Sequence, residues 1–395
     1  MAERKFVDAN MAVAHGVRLA RADVVAAYPI TPQTSIVEDV SRFIANGEMD
    51  CTYIKVESEH SAMAACLGAA AVGARAFTAS SSQGLEYMHE MLAYVSGGRF
   101  PVVMATVNRA VALPWSIMLD HQDSIQQRDT GWIQLYIETG QEALDMVLQA
   151  YRVAEDHRVL TPVMLCLDGF VLSHTYEPVE IPDQAEVDRF LPPFAAVDVL
   201  DPAAPRSLGV GMPPAHYADY RFRQQQAMDA AGSVIPEVSR LFAQQFGRDH
   251  GGLIENYRCE GAEAVLVAAG SVAGTAREVV DQLRAAGTAV GLVKLRSFRP
   301  FPGEELRAVA RGTRALAVLD RDCSFGMDGA MLSDTRAALY GLPDGPTVCG
   351  FVGGLGGHDI RPEDIVSIYG RSLAAARAGL RLRPSEFLGV EEAAQ

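Results

Sequence analysis

Short apolar runs separated by segments of helical periodicity recur along most of the chain, and this alternation constrains the fold more than any other feature. Val24 to Tyr28 reads as a buried strand, and Ile36, Val37, Val40, Phe43 and Ile44 then recur at helical spacing up to Gly47. Thr52 to Val56, Ala76 to Ala79, Val102 to Val107 and Val163 to Leu167 are further strands. The stretch Ser58 to Gly73 is a helix rich in Ala and Gly, whose small side chains let another backbone come close. Such alternation predicts an α/β layer with a largely parallel sheet. From about Asp183 to Gly252 the pattern loosens around Pro192-Pro193, Pro202, Pro205 and Pro213-Pro214, with a helix expected from about Ala215 to Phe246. This segment is expected to be an ordered connector, because Phe190, Phe194, Leu200 and Leu208 are costly to leave in water. After Glu260 strands at Ala264 to Ala269, Val290 to Leu295, Ala315 to Leu319 and Pro346 to Val352 alternate with helices again. A chain of 395 residues exceeds one ordinary core. Two α/β domains with mainly parallel sheets are therefore expected, 1–240 (connector from about 183) and a smaller one over 255–395.

A net charge of −15 argues against nucleic acid or an anionic membrane as the main partner. The longest apolar runs fall short of a membrane span, and MAERKFVDAN holds no apolar signal core. Cysteines 51, 66, 166, 259, 323 and 349 are scattered without a C-x-x-C, so neither a zinc site nor a local iron–sulfur motif is supported and no metal ligands are assigned. A cytoplasmic protein with free thiols is the expectation. Neither Ala269-Gly270-Ser271-Val272-Ala273-Gly274 nor Gly353-Gly354-Leu355-Gly356-Gly357 passes the tests for a phosphate loop.

The stretch AYPITPQTS, residues 27–35, stiffens the chain heavily between a strand and a helix. Thr31 as N-cap and Pro32 as first helical residue explain part of it. A strand-to-helix turn at the carboxyl end of a parallel sheet is also where such folds place ligands. Other polar candidates admit two readings each. Glu59 at the mouth of the Ala-rich helix is a helix-start carboxylate or a functional acid. Arg109, just past a buried strand, is an ion-pair partner or a substrate ligand. Asp120 to Asp129 reads as a hydrogen-bonded loop, and Ser173-His174 lacks the G-x-S-x-G elbow of a hydrolase.

In combination and order, YPITP, the Ser-Glu heading the Ala-rich helix, SQGL, NRA, DHQDS-x-x-x-RD-x-GWIQ and DGF resemble the α subunit of the 2-oxoacid:ferredoxin oxidoreductases. RSFRPFP at 296–302 and VLDR at 318–321 look like that family's second domain, so the resemblance runs from about Asp8 to Arg381. It implies a pyrimidine-binding-like thiamine diphosphate domain followed by a transketolase C-terminal-like domain. It further implies that Glu59 meets the aminopyrimidine ring and activates the cofactor, that Tyr28, Pro29 and Ile30 lie along the cofactor, that Thr31 points a hydroxyl at the substrate, and that Arg109 holds the substrate carboxylate. The family's diphosphate and Mg2+ ligands lie in a G-D-G segment of a β subunit, and this chain has no convincing version of it. Iron–sulfur clusters belong to the β and ferredoxin-like δ subunits, alongside a γ subunit. The reaction implied is CoA-dependent oxidative decarboxylation of a 2-oxoacid, pyruvate or a larger branched or aromatic one, with electrons leaving to ferredoxin or another acceptor, NAD included. Trp115 and Met118 line a larger substrate pocket, or Trp115 packs in the core. A transketolase-like enzyme acting alone and a non-catalytic scaffold subunit are the alternatives; the first would need its own G-D-G segment.

Overall fold

A computed structural model describes residues 3–380 and 385–390. The outermost limits of the expected domains, 1 and 395, and the expected end of the resemblance at Arg381 lie outside the described residues. The chain opens with β1 (Glu3–Val7) and α1 (Ala9–Leu19). It then alternates through β2 (Val24–Ala27), α2 (Thr34–Ala45), β3 (Thr52–Lys55), α3 (Glu59–Ala71), β4 (Ala76–Ser80), α4 (Ser82–Tyr87), α5 (His89–Gly97) and β5 (Val103–Asn108). A single turn, α6 (Gln122–Ile125), precedes β6 (Ile133–Ile137), α7 (Gly140–Ala154), β7 (Val163–Asp168), β8 (Glu177–Ile181) and α8 (Gln184–Phe190). The 33-residue α9 (Pro214–Phe246) leads to β9 (Ile254–Tyr257), β10 (Ala264–Ala268), α10 (Val272–Ala285), β11 (Val290–Leu295) and β12 (Ser297–Arg299). The chain continues through α11 (Gly303–Ala310), β13 (Ala315–Asp320), α12 (Ala330–Leu339), β14 (Thr347–Val352), α13 (Pro362–Arg377) and β15 (Glu386–Phe387).

Seven strands form the first sheet in the order β12-β6-β7-β5-β4-β2-β3, parallel except for β12. Six form the second in the order β15-β14-β13-β10-β11-β9, parallel except for β9. The α/β class with mainly parallel sheets is thus present, and every residue of β4, β5, β6, β7, β10, β11, β13 and β14 is buried, as strands covered by helices on both faces must be. One strand of the second half, β12, lies in the first sheet, antiparallel to β6.

Some expectations fail locally. Thr31 does not cap a helix: α2 begins at Thr34 with Gln33 before it, and Thr31 and Pro32 occupy a turn closed by Gln33 N–H donating to the Ile30 carbonyl at 2.9 Å. The Thr31 carbonyl accepts from Arg109 instead of from a helical N–H. In the connector Phe190 is buried and Phe194 and Leu200 are half-buried, but Leu208 is exposed. Strand β6 was hidden by Gln134, a buried amide that donates to the Ser124 carbonyl at 2.6 Å.

An ionic seam joins the two halves. Lys294 on β11 lies 2.7 Å from Glu142 and 2.9 Å from Glu138, and Arg296 lies 3.2 Å from Glu142. Arg277 bridges Glu138 at 3.0 Å and Glu255 at 2.8 Å. Burial acts to raise the Glu142 pKa, but Lys294 and Arg296 outweigh it and draw it down to about 2. A second tie is Asp168 at the end of β7. It accepts from His121 Nε2 at 2.8 Å, Arg321 Nη1 at 2.9 Å, and the Ser271 N–H and hydroxyl at 2.9 and 2.5 Å. Gly270 explains itself here, since at φ +77° a Cβ would come within 2.7 Å of the Asp168 carboxylate. The glycine loop that fails as a phosphate cradle is a cradle for this internal carboxylate.

Glu142→Gln should lower the unfolding free energy by about 3–5 kcal/mol, because Arg296 stays buried without its counter-charge and Lys294 keeps only Glu138 close by. Urea unfolding at neutral pH measures it. A loss below about 1 kcal/mol, the range of a surface pair, would remove the seam from the account of stability. Because the folded-state pKa is depressed, this stabilisation is present above pH 4.5, the ordinary carboxyl value, and is lost as pH falls towards about 2.

Candidate active site

Strands β2, β4, β5 and β7 are neighbours and parallel, so their carboxyl ends open onto one edge, where the turns after them meet. The turn after β2 carries Tyr28 to Gln33. After β4 come Ser81 and the first turn of α4, Ser82 to Gly84, and Arg109 follows β5 directly.

Glu59 is the first residue of α3, after Ser58, whose hydroxyl accepts the Ser61 N–H at 3.2 Å. Capping is therefore done by Ser58 and leaves the Glu59 carboxylate free. It is buried, with 8% of the residue exposed, yet forms no hydrogen bond among the described residues. Gly84 packs against it: a Cβ there would lie 2.5 Å from Glu59 Oε1 and 2.7 Å from Ser80 Oγ. The glycine of the SQG run is needed because a carboxylate and a hydroxyl crowd its α-carbon.

Arg109 is buried and held from three sides. Nη1 donates to the Thr31 carbonyl at 2.7 Å, Nη2 donates to Gln83 Oε1 at 3.1 Å, and its backbone N–H donates to Asp123 Oδ2 at 3.0 Å. Burial lowers its pKa while Asp123 and Glu59 act to raise it, so the Glu59 charge reaches the guanidinium. Asp123 is the hub beneath. It also accepts the Ser82 N–H at 2.8 Å, Asn108 Nδ2 at 2.7 Å and its neighbour's Ser124 N–H at 2.8 Å. Burial pushes its pKa up to about 6 despite these bonds. Ser82 takes a left-handed backbone, φ +49°, and its hydroxyl lies 2.6 Å from both Gln83 Oε1 and the Ala110 carbonyl.

The fold thus brings the Thr31 turn, Gln83 and Arg109 into direct contact, with Glu59 across Gly84. Thr31, Tyr28 and Pro29 are exposed and Ile30 is half-buried. Trp115 is 68% exposed, which removes it from the core. Leu113 at 82%, Ile117 and Met118 are exposed with it on the loop after Arg109. That loop is tied back to Arg109's neighbour by the Ala110 N–H donating to the Met118 carbonyl, and to the second half by Ser116 Oγ donating to the Gly356 carbonyl at 3.1 Å. Sequence reasoning did not single out Gln83, Ser80, Asn108 or Asp123 as individual site residues. The available signal was a run of small polar residues, SSSQG, directly after a wholly buried strand.

The donor set suits a polar organic ligand. The hydroxyls of Ser80 and Ser81 and the amide nitrogen of Gln83 are buried without a partner, near the Glu59 carboxylate, which forms no hydrogen bond among the described residues. Among the described residues no group of three or more His, Cys, Asp or Glu side chains is arranged to hold a metal, and Cys51, Cys66, Cys166, Cys259 and Cys323 are free thiols. No helix among the described residues is long and apolar enough to cross a membrane.

Residues 15–240 match the family profile described as pyruvate flavodoxin/ferredoxin oxidoreductase, thiamine diphosphate-binding, and residues 262–365 match pyruvate:ferredoxin oxidoreductase core domain II. Pyruvate synthase subunit PorA of Methanothermobacter thermautotrophicus is 51% identical over 93% of this chain and 95% of that protein. Ketoisovalerate oxidoreductase subunit VorA of Pyrococcus horikoshii is 48% identical over 92% of each. The solved 2-oxoglutarate:ferredoxin oxidoreductase from Magnetococcus marinus shares the fold, with a TM-score of 0.71 at 20% identity; the match covers 94% of this chain and 65% of that one. With its cluster of unpartnered polar groups at the shared edge of β2, β4 and β5, the chain belongs to the pyruvate:ferredoxin oxidoreductase family of 2-oxoacid oxidoreductases, as a subunit that carries the thiamine diphosphate-binding domain.

Proposed function

We propose that this chain is the α subunit of a multisubunit enzyme that converts a monocarboxylic 2-oxoacid and CoA into acyl-CoA and CO2. Two electrons pass through iron–sulfur clusters on partner subunits to ferredoxin or another acceptor. The observation that carries this reading is the pairing of a buried carboxylate without a hydrogen bond, Glu59 after β3, with a buried guanidinium, Arg109 after β5, on either side of Gly84 and Gln83. The pyruvate synthase and ketoisovalerate oxidoreductase relatives support substrates with one carboxylate, and a single cation suits one carboxylate. A β subunit supplies the diphosphate and Mg2+ ligands, and γ and ferredoxin-like δ subunits complete the complex. The exposed apolar side chains of Leu113, Trp115 and Ile117 beside the site support a partner covering this edge.

Thiamine diphosphate, when bound, supplies a carbon nucleophile for the 2-oxo group and takes up the electron pair left by CO2. The Glu59 carboxyl holds and returns a proton at a ring nitrogen of the cofactor. Arg109 binds and orients the substrate carboxylate with the N–H groups not used by Thr31 and Gln83. The Thr31 hydroxyl donates to the oxo group, and Tyr28, Pro29 and Ile30 hold the turn that presents it.

In the assembled complex Glu59→Gln should lower kcat by roughly 100- to 10,000-fold, since an amide cannot exchange that proton. Steady-state assays with a dye acceptor check it, and near-normal turnover would reduce Glu59 to a helix-start residue. Arg109→Lys should raise KM for the oxoacid by roughly ten- to a hundredfold, matching about 1.5–3 kcal/mol for a charge-assisted hydrogen bond, while Thr31→Val lowers kcat with little change in KM. An unchanged KM in Arg109→Lys for every oxoacid from pyruvate to phenylglyoxylate would move the substrate site elsewhere.

A further inference from the structure

We propose that Gln83 is a second substrate-binding residue: its amide oxygen sets the rotation of the Arg109 guanidinium, and its amide N–H donates to the carboxylate of the 2-oxoacid. This rests on the reading that Arg109 takes that carboxylate.

The orientation of the Gln83 amide follows from its neighbour. Arg109 Nη2, at 3.1 Å, is a donor only, so the atom facing it must be the oxygen. The Ser82 hydroxyl at 2.6 Å from the same oxygen agrees, although its single proton serves Gln83 and Ala110 one at a time. The amide nitrogen is thereby turned to the other side. There it is buried and has no acceptor. Buried amide N–H groups almost always find an acceptor, so one without any calls for an explanation.

A second observation points the same way. Arg109 Nε is also buried without an acceptor, and so are the Ser80 and Ser81 hydroxyls on the same turn. Gln83 Nε2 and Arg109 Nε can only donate, so what both lack is oxygen lone pairs. A planar carboxylate beside a carbonyl, the head of a 2-oxoacid, brings several. A structural task alone would be met by the oxygen of Gln83, and leaves its nitrogen unexplained. The residue is also placed at some cost: Ser82 before it holds a left-handed backbone, fixed by its N–H bond to Asp123.

The test uses the assembled, cofactor-loaded complex. Gln83→Glu keeps an acceptor for Arg109 and replaces the donor with a negative charge. It should raise KM for the 2-oxoacid at least tenfold at neutral pH, with kcat and KM for CoA changed less than threefold. The KM defect should shrink as the pH falls and the new carboxyl gains a proton, which restores a donor. Oxamate, a non-reacting isostere of pyruvate, should bind at least tenfold more weakly by calorimetry. Should Gln83→Glu fail to assemble, Gln83→Met, with neither donor nor acceptor, is judged on the same oxamate criterion. Oxamate affinity and KM within twofold of the parent, while Arg109→Lys loses both, would overturn the role of Gln83 and leave the proposed function standing. Unchanged affinity in both variants would overturn the Arg109 reading as well.

Discussion

The candidate site depends on the Asp123 carboxylate. Its four hydrogen bonds reach the turn after β4 through Ser82, the end of β5 through Asn108 and Arg109, and its own loop through Ser124. A fully buried carboxylate is expensive to desolvate, and its pKa of about 6 records that cost. It is tolerated because backbone N–H groups with no sheet partner converge on it. With those N–H groups fixed, the left-handed Ser82 presents Gln83 to Arg109, and Gly84 leaves room for Glu59 and Ser80. One internal acid thus sets the positions of residues that would otherwise sit on three independent turns.

The second half of the chain supports the same edge from outside. Asp168, at the carboxyl end of β7 beside Asn108, is held by His121 from the loop that carries Asp123 and by Arg321 and Ser271 from the second sheet. Gly169 follows it closely enough that a Cβ would meet the Asn108 carbonyl at 2.3 Å and Pro32 at 2.9 Å. The stiff turn after β2 is therefore packed on the DGF turn and bonded through its carbonyl to Arg109. Rigidity there has a geometric purpose, to fix where the Thr31 carbonyl and hydroxyl lie.

Much of the fold was legible because fully buried parallel strands are short apolar runs, and β4, β5, β7, β10, β11, β13 and β14 are of that kind, with β2 buried from Val25 on. Strand β6 was not, because Gln134 breaks the apolar run while bonding a carbonyl inside the core. The antiparallel pair of β1 and β8 joins residues 170 or more positions apart, beyond any local pattern. Thr31-Pro32 misled as a helix start since the local preference is real, but a tertiary bond from Arg109 claims the Thr31 carbonyl. Glu59 and Arg109 were visible as polar residues next to apolar elements, whereas Gln83 became visible only when its oxygen was seen occupied and its nitrogen free. Hydrogen-bond saturation is a property of the folded chain and leaves no periodicity in the sequence.

The central claim is that this chain contributes a preformed carboxylate to the pyrimidine side of thiamine diphosphate while a partner holds the diphosphate. A structure of the assembled complex with the cofactor bound tests it most directly, through the separation between a Glu59 carboxyl oxygen and the nearest pyrimidine ring nitrogen. The account predicts a hydrogen bond of about 2.6–3.0 Å, with the diphosphate and Mg2+ ligated by a different subunit. A separation beyond about 4 Å, or a diphosphate ligated by this chain, would contradict it.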